Sequence, residues 1–106
     1  MDDADFRAVL ADTLAETPAR AAVVCLCAGW CGTCREFRPG FEQAARELPE
    51  FAFRWVDIED EADKLGDIDI ETFPTLLIGD ASGVRFAGPV LPQAGQIVRL
   101  LRSLGL

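Results

Sequence analysis

The sequence predicts an α/β fold: a central mixed four-stranded sheet in the order α-β-α-β-α-β-β-α, with helices on both faces. A length of 106 residues suits one compact core, so we expect residues 1–106 to form a single domain. Helical and strand patterns alternate through the first part, which favours parallel strands covered by helices. Two short apolar runs around a glycine-containing turn then indicate a closing antiparallel hairpin.

The helices are predicted from apolar residues at helical spacing. A first amphipathic helix over 4–16 ends before Pro18, and a second follows the glycine-containing turn at 28–32, with Pro39 inside it as a source of a kink. A short acidic helix over 59–66 and a last helix opened by Pro92 complete the set.

The strands are predicted from apolar runs and from alternation. The run 21–27 is apolar throughout, as in a central strand buried on both faces, and 51–58 alternates. The runs 75–78 and 84–87 flank a five-residue loop, 79–83, and should pair antiparallel.

Composition narrows the function. Eighteen acidic and ten basic residues give a net charge of -8, which argues against a nucleic-acid partner. No apolar stretch approaches the ~20 residues of a membrane span, and the acidic start is unlike a secretory signal, so the cytoplasm is the expected location. Because histidine and tyrosine are absent, the chemistry must use Cys, Asp, Glu, Lys or Arg.

The four cysteines lie within ten residues, which indicates redox or metal chemistry. Cys31 and Cys34 form a C-x-x-C pair between a predicted buried strand and a helix. At the helix start, unpaired N–H groups stabilise a thiolate, so Cys31 is the predicted nucleophile and Cys34, one turn on, the resolving thiol. With Cys25 and Cys27 the pattern could also be a zinc or cluster site, but strand geometry does not favour convergence of four thiolates, and no metal ligand is predicted.

At this point the chain resembles the thioredoxin family, over nearly its whole length. The resemblance rests on the segment Trp30-Cys31-Gly32-Thr33-Cys34, on Pro39, on Val56-Asp57-Ile58-Glu59, on Phe73-Pro74-Thr75 and on the hairpin leading to Gly88. It implies the thioredoxin-like fold and a cis proline opposite the cysteines, a place that Pro74 takes.

The resemblance also implies the substrate-binding residues. Trp30 would form an apolar rim over the sulfurs, with an ordinary core tryptophan as the alternative. Phe73 would pair its backbone with a substrate strand, and Gly88 would allow close approach. The remaining predicted substrate contacts are Gly32 and Thr33, between the two cysteines.

The chain departs from the family beneath the resolving thiol. Cys25 stands where the family has a buried aspartate, and Trp55 stands where it has the partner lysine. A proton-handling pair is therefore missing, and Asp57 is the predicted nearby carboxylate. Cys25 is interpreted either as a small apolar filler, which leaves only a Cys31–Cys34 disulfide under oxidant, or as a redox residue that forms a Cys25–Cys34 disulfide.

The predicted function is thiol–disulfide exchange with protein disulfides through a Cys31–Cys34 couple, with no bound cofactor. The expected partners are protein disulfide substrates and a thioredoxin-reductase-type or other thiol electron donor, with the chain acting as a monomer. The alternative is a thioredoxin-fold binding or assembly module whose cysteines are weakly active or idle.

Overall fold

The computed structural model describes residues 3–28, 31–60, 74–90 and 95–106. Their elements are α1 (Asp3–Glu16), β1 (Ala21–Cys27), α2 (Gly32–Glu47), β2 (Phe51–Asp57), β3 (Thr75–Asp80), β4 (Gly83–Pro89) and α3 (Gly95–Ser103). The predicted acidic helix over 59–66 falls largely outside the described residues, as does the predicted start of the last helix at Pro92. Pro39 lies within α2, at an exposed position.

The four strands form one mixed sheet in the order β2-β1-β3-β4. β1 runs parallel to β2 and antiparallel to β3, and β3 pairs antiparallel with β4. The mixed four-stranded sheet predicted from the sequence is therefore confirmed.

β1 is buried along its whole length, as its uninterrupted apolar sequence predicts. Alternate residues of the strand enter two separate hydrophobic clusters, one on each face of the sheet. In one cluster, the α1 residues Phe6, Val9 and Leu10 pack against Ala22, Val24 and Leu26 of β1. The other joins α2 and α3 to Ala21, Val23, Cys25 and Cys27. All the cysteines of β1 therefore face α2.

The β3–β4 hairpin is tighter than the sequence analysis predicted. Asp80 pairs with Gly83, so the connection is a two-residue turn and not the predicted five-residue loop. The Asp80 carboxylate accepts hydrogen bonds from the backbone N–H and the hydroxyl of Ser82, and Gly83 has a positive φ of 131°. Asx-type hydrogen bonding and a positive-φ glycine are devices that close short turns.

The pairing of β1 with β3 shows which residues lie at the end of the sheet that carries the cysteines. β1 ends at Cys27 and α2 begins at Gly32, so both cysteine motifs lie at the carboxyl end of the central strand. Thr75, which begins β3, pairs with Leu26, and Pro74 precedes it. The sheet therefore brings Pro74 to the same end as Cys27.

Candidate active site

Cys31 lies at the N-cap of α2. Its backbone is extended (φ -85°, ψ 113°), its N–H donates to the Ala28 carbonyl at 3.0 Å, and its carbonyl accepts from the Arg35 N–H at 3.3 Å. The side chain is a free thiol, partly exposed, and it caps no backbone N–H. The first turn contains no acidic residue, so no carboxylate there offsets the positive end of the helix dipole.

Gly32 and Thr33 continue the first turn and are exposed. A Cβ added at Gly32 would meet no atom of the described residues within 4 Å, so none of these residues fills the space beside Gly32. The predicted substrate contacts of these two residues stay predictions.

Cys34 lies one turn further on, at the buried face of α2, and is 1% exposed. A disulfide joins Cys34 to Cys27, with Cα atoms 5.9 Å apart, within the ordinary range for such bonds. The C-x-x-C spacing predicts a Cys31–Cys34 pair; in this structure the partner of Cys34 is Cys27. The physical reason is the alternation of β1, which sends the Cys27 side chain to the face on which α2 packs.

Cys25 is a free, fully buried thiol on the same face of β1. Its Sγ lies 3.5 Å from the Cys27 Sγ, and burial raises its pKa to about 12. The thiol is therefore protonated at neutral pH and is a poor nucleophile. The Cys25–Cys34 disulfide considered in the sequence analysis is not the one formed.

Trp55 is the neighbour of Cys25 on β2, because the parallel register pairs these two residues. Its ring packs against Phe37 and Phe41, at centroid separations of 6.4 and 5.5 Å, and the Arg38 guanidinium lies 5.2 Å from the ring. Trp55, which stands where the family has a lysine, is thus part of an aromatic cluster with side chains of α2. Any further part of Trp55 in the chemistry stays a prediction.

Asp57 pairs in register with Cys27. Its Oδ1 accepts hydrogen bonds from the backbone N–H groups of Glu59, at 2.9 Å, and Asp60, at 3.4 Å. The carboxylate therefore stabilises the turn after β2, and Asp57 itself lies beside Cys27 of β1. Its predicted role as a proton acceptor is not tested by these contacts.

Pro74 is fully buried, and its carbonyl accepts the Val90 N–H at 3.1 Å. Gly88 pairs with Leu76, and a Cβ added there would touch the Phe86 ring at 3.5 Å, an ordinary contact. No close contact within the described chain requires a glycine at this position. The two other predicted substrate-binding residues, Trp30 and Phe73, lie outside the described residues.

The residue that the sequence analysis missed is Cys27. The signal was available in the pattern C-x-C on a buried strand, since residues two apart share a face and helices were predicted on both faces of the sheet. What the sequence did not specify was which face α2 covers. Within the described ranges, no group of three or more Cys, Asp or Glu side chains is arranged to hold a metal ion.

Comparison with known proteins identifies the family. The family model described as thioredoxin matches residues 1–91, so the chain belongs to the thioredoxin family. It is 38% identical over 68 residues to putative thioredoxin 2 of Streptomyces coelicolor, covering 63% of this chain and 51% of the relative. It is 31% identical over 64 residues to an H-type thioredoxin of Fagopyrum esculentum, covering 60% and 55%. The chain thus spans about half the length of the curated relatives it matches.

Solved structures show the same fold. Fasciola hepatica thioredoxin superposes with a TM-score of 0.74 at 22% identity, covering 88% of each chain. The germline-specific thioredoxin Deadhead of Drosophila melanogaster superposes with a TM-score of 0.73 at 14% identity, covering 89% of this chain and 90% of that one. The thioredoxin-like fold predicted from the sequence is confirmed. None of the helices in the described part of the chain has the length and apolar character that crossing a membrane requires.

Proposed function

We propose that this chain is a thiol–disulfide oxidoreductase that reduces protein disulfides. One observation carries the proposal: Cys31 is a free, partly exposed thiol at the N-cap of a helix, and a second cysteine, Cys34, follows one turn later on the buried side. An exposed attacking sulfur followed by a protected resolving sulfur is the arrangement that disulfide exchange requires. Membership of the thioredoxin family supports the same reaction.

In the reduced chain the reaction has two steps. The Cys31 thiolate attacks one sulfur of the substrate disulfide, a mixed disulfide forms, and the other substrate sulfur leaves as a thiolate that takes a proton from solvent. The Cys34 thiolate then attacks Cys31 Sγ, which forms the Cys31–Cys34 disulfide and releases the second substrate thiol. No bound cofactor takes part in either step.

The substrate would lie across the sheet end formed by Cys31, Pro74 and Gly88. Support comes from the open space beside Gly32 and from the absence of a close contact that would demand glycine at position 88. An extended substrate segment approaching Gly88 would meet no Cβ on that residue, with the Phe86 ring lying alongside. Trp30 and Phe73 belong to this proposal on the family resemblance alone.

The proposed partners are disulfide-bonded proteins as substrates and a thioredoxin-reductase-type or other thiol donor as the source of electrons. We propose that the chain works as a single domain and a monomer in the cytoplasm, where catalytic disulfides are transient. Sedimentation of the purified chain and fractionation of cells test these two points.

The experiment is turnover of a disulfide-bonded model protein, with dithiothreitol or a thioredoxin reductase as electron donor. Cys31→Ser should abolish turnover, because the attacking sulfur is gone. Cys34→Ser should keep the first step and accumulate a mixed disulfide, seen as a covalent adduct by mass spectrometry. Ser103→Ala is the matched control, since it changes an exposed hydroxyl near the end of α3.

If both cysteine variants keep wild-type turnover, the proposed function is wrong. If the wild-type chain shows no turnover with either electron donor, the alternative of a binding or assembly module is preferred.

A further inference from the structure

Three cysteine side chains share one face of the sheet beneath α2. Cys25 and Cys27 come from β1 and Cys34 from α2, and all three are at most 2% exposed. They belong to one hydrophobic cluster, against which Cys31 also packs from the helix start. Cys34 therefore lies within reach of two sulfurs with different surroundings: a partly exposed one at position 31 and a buried one at position 27.

The two possible disulfide partners of Cys34 are brought near it in different ways, one by the local helix and the other by tertiary packing. Cys31 is three residues away on the same helix, so the local chain brings it to the same side as Cys34. Cys27 is brought there by the packing of α2 on β1, and the disulfide in the structure joins it to Cys34. The position of Cys34 thus permits an exchange between an outer and an inner disulfide.

We propose that Cys27 is a third redox-active cysteine. It replaces Cys31 as the disulfide partner of Cys34 and so moves the disulfide into the core. This inference rests on the proposed function, which produces the Cys31–Cys34 disulfide. The Cys27 thiolate attacks Cys34 Sγ; the Cys27–Cys34 bond forms, the Cys34–Cys31 bond breaks, and the electron pair leaves on Cys31. The proton lost from the Cys27 thiol goes to solvent. Two sulfurs are oxidised before and after the step, so no further oxidant is needed.

The site favours Cys31 as the leaving group. Its sulfur departs at the partly exposed start of α2, where solvent can reach it, whereas the sulfurs of Cys27 and Cys34 are buried. The product is the form in the structure: a buried Cys27–Cys34 disulfide and a free, partly exposed Cys31. The chain then remains oxidised while its outer sulfur stays reactive.

The return path runs through Cys31. The inner disulfide is shielded, because Cys27 is 2% and Cys34 1% exposed, so an external thiol has no direct access to it. The Cys31 thiolate can attack Cys34 Sγ and restore the outer disulfide, which an electron donor can reach. Cys27 therefore protects the oxidised state from reduction without removing the nucleophile.

Cys25 provides the matched control. It lies on the same face of the same strand, 3.5 Å from the Cys27 sulfur, but it is free in the structure, whereas Cys27 is bonded to Cys34. A variant at position 25 changes the same kind of residue in the same cluster, and the proposal predicts that it leaves the disulfide transfer intact.

The test follows the disulfides of the fully reduced chain after addition of oxidised dithiothreitol. Samples are quenched with acid at increasing times, alkylated under denaturing conditions, digested without reductant and mapped by mass spectrometry. Cys31–Cys34 should appear first and should be replaced by Cys27–Cys34, while two free thiols per chain persist throughout. Cys25→Ala should give the same sequence of products, and Cys27→Ala should stop at Cys31–Cys34.

Cys31→Ser tests whether the inner disulfide forms through the outer one. Its Cys27–Cys34 disulfide should form at least about tenfold more slowly than in the wild-type chain, because the exposed thiolate that meets the oxidant is missing. An unchanged rate overturns the proposal, since the buried pair would then be oxidised directly. A wild-type chain that holds only Cys31–Cys34 at every time overturns it as well, and that result needs no variant to fold.

The two proposals fail in different ways. Oxidised dithiothreitol replaces the protein substrate here, so a chain that transfers the disulfide but never turns over a protein disulfide contradicts only the proposed function. If the chain turns over protein disulfides normally but only the Cys31–Cys34 disulfide is detected, the result contradicts only the proposed role of Cys27.

Discussion

The buried Cys25 thiol should make this protein unusually sensitive to alkaline pH. Burial raises the pKa of Cys25 from 9.0 to about 12, so the folded chain keeps this proton at pH values where the unfolded chain loses it. The stability that depends on the neutral thiol is therefore fully present below pH 9.0 and is lost as the pH rises towards 12. Cys25→Ala removes the group and with it this contribution to the pH dependence of stability.

The magnitude follows from linkage. Each pH unit between the two pKa values lowers the free energy of unfolding by about 1.4 kcal/mol. A change from about pH 8 to about pH 10 should thus cost the wild-type chain about 1.4 kcal/mol more than it costs Cys25→Ala. The cavity that alanine leaves lowers stability equally at both pH values, so it does not enter the difference.

The composition makes the measurement clean. The chain has no tyrosine and a single lysine, so few other groups titrate in this range, and every group other than Cys25 is common to both variants. The assay is urea unfolding of the oxidised protein at both pH values. With a denaturant dependence of ~1–3 kcal/mol/M, the wild-type midpoint should fall by roughly 0.5–1.4 M more than that of Cys25→Ala. Parallel falls in the two midpoints would refute the reasoning.

Three further substitutions test the packing on the two faces of the sheet. Gly79→Ala should lower the free energy of unfolding by about 2 kcal/mol, because the new Cβ would meet Leu10 Cδ1 and the Gly83 carbonyl oxygen, both closer than ordinary contact. Gly88→Ala, its control in β4, should change stability by less than ~0.5 kcal/mol, and equal losses in thermal unfolding would contradict the contacts. Phe37→Ala should cost ~3–5 kcal/mol, because the ring is 2% exposed within the α2 cluster; a loss under about 1 kcal/mol in urea unfolding would show that this ring is not part of the core.

Elements with strong periodicity could be predicted from the sequence. The strand predicted at 21–27 is found there as β1, because a short, unbroken apolar run bounded by turn residues is typical of a strand buried on both faces of a sheet. The β3–β4 turn was predicted too long, because Gly79 and Asp80 read as loop residues in isolation. Their place in the strand depends on the fit of Gly79 against Leu10 of α1, a tertiary contact that local propensity does not contain.

The candidate site was predictable where it depends on one element. The place of Cys31 at a helix start follows from the strand–turn–helix pattern around it, and the pairing of Cys25 with Trp55 agrees with the positions that the family resemblance gave them. The partner of Cys34 depends on two elements, because Cys27 reaches it only when α2 packs on the correct face of β1.

Loop entropy explains why the local motif decides so little about this partner. Cys27 and Cys34 are 7 residues apart and Cys31 is three residues from Cys34, so the inner disulfide closes a loop about twice as long. Doubling a loop costs only about 0.6 kcal/mol, less than the ~0.8 kcal/mol contributed by burying one CH₂ group. The preference of the unfolded chain for the C-x-x-C pair is therefore small compared with ordinary packing differences. The disulfide partner of Cys34 therefore depends on how α2 packs on the sheet. A C-x-C pair on the face of β1 that α2 covers provides a buried partner for Cys34.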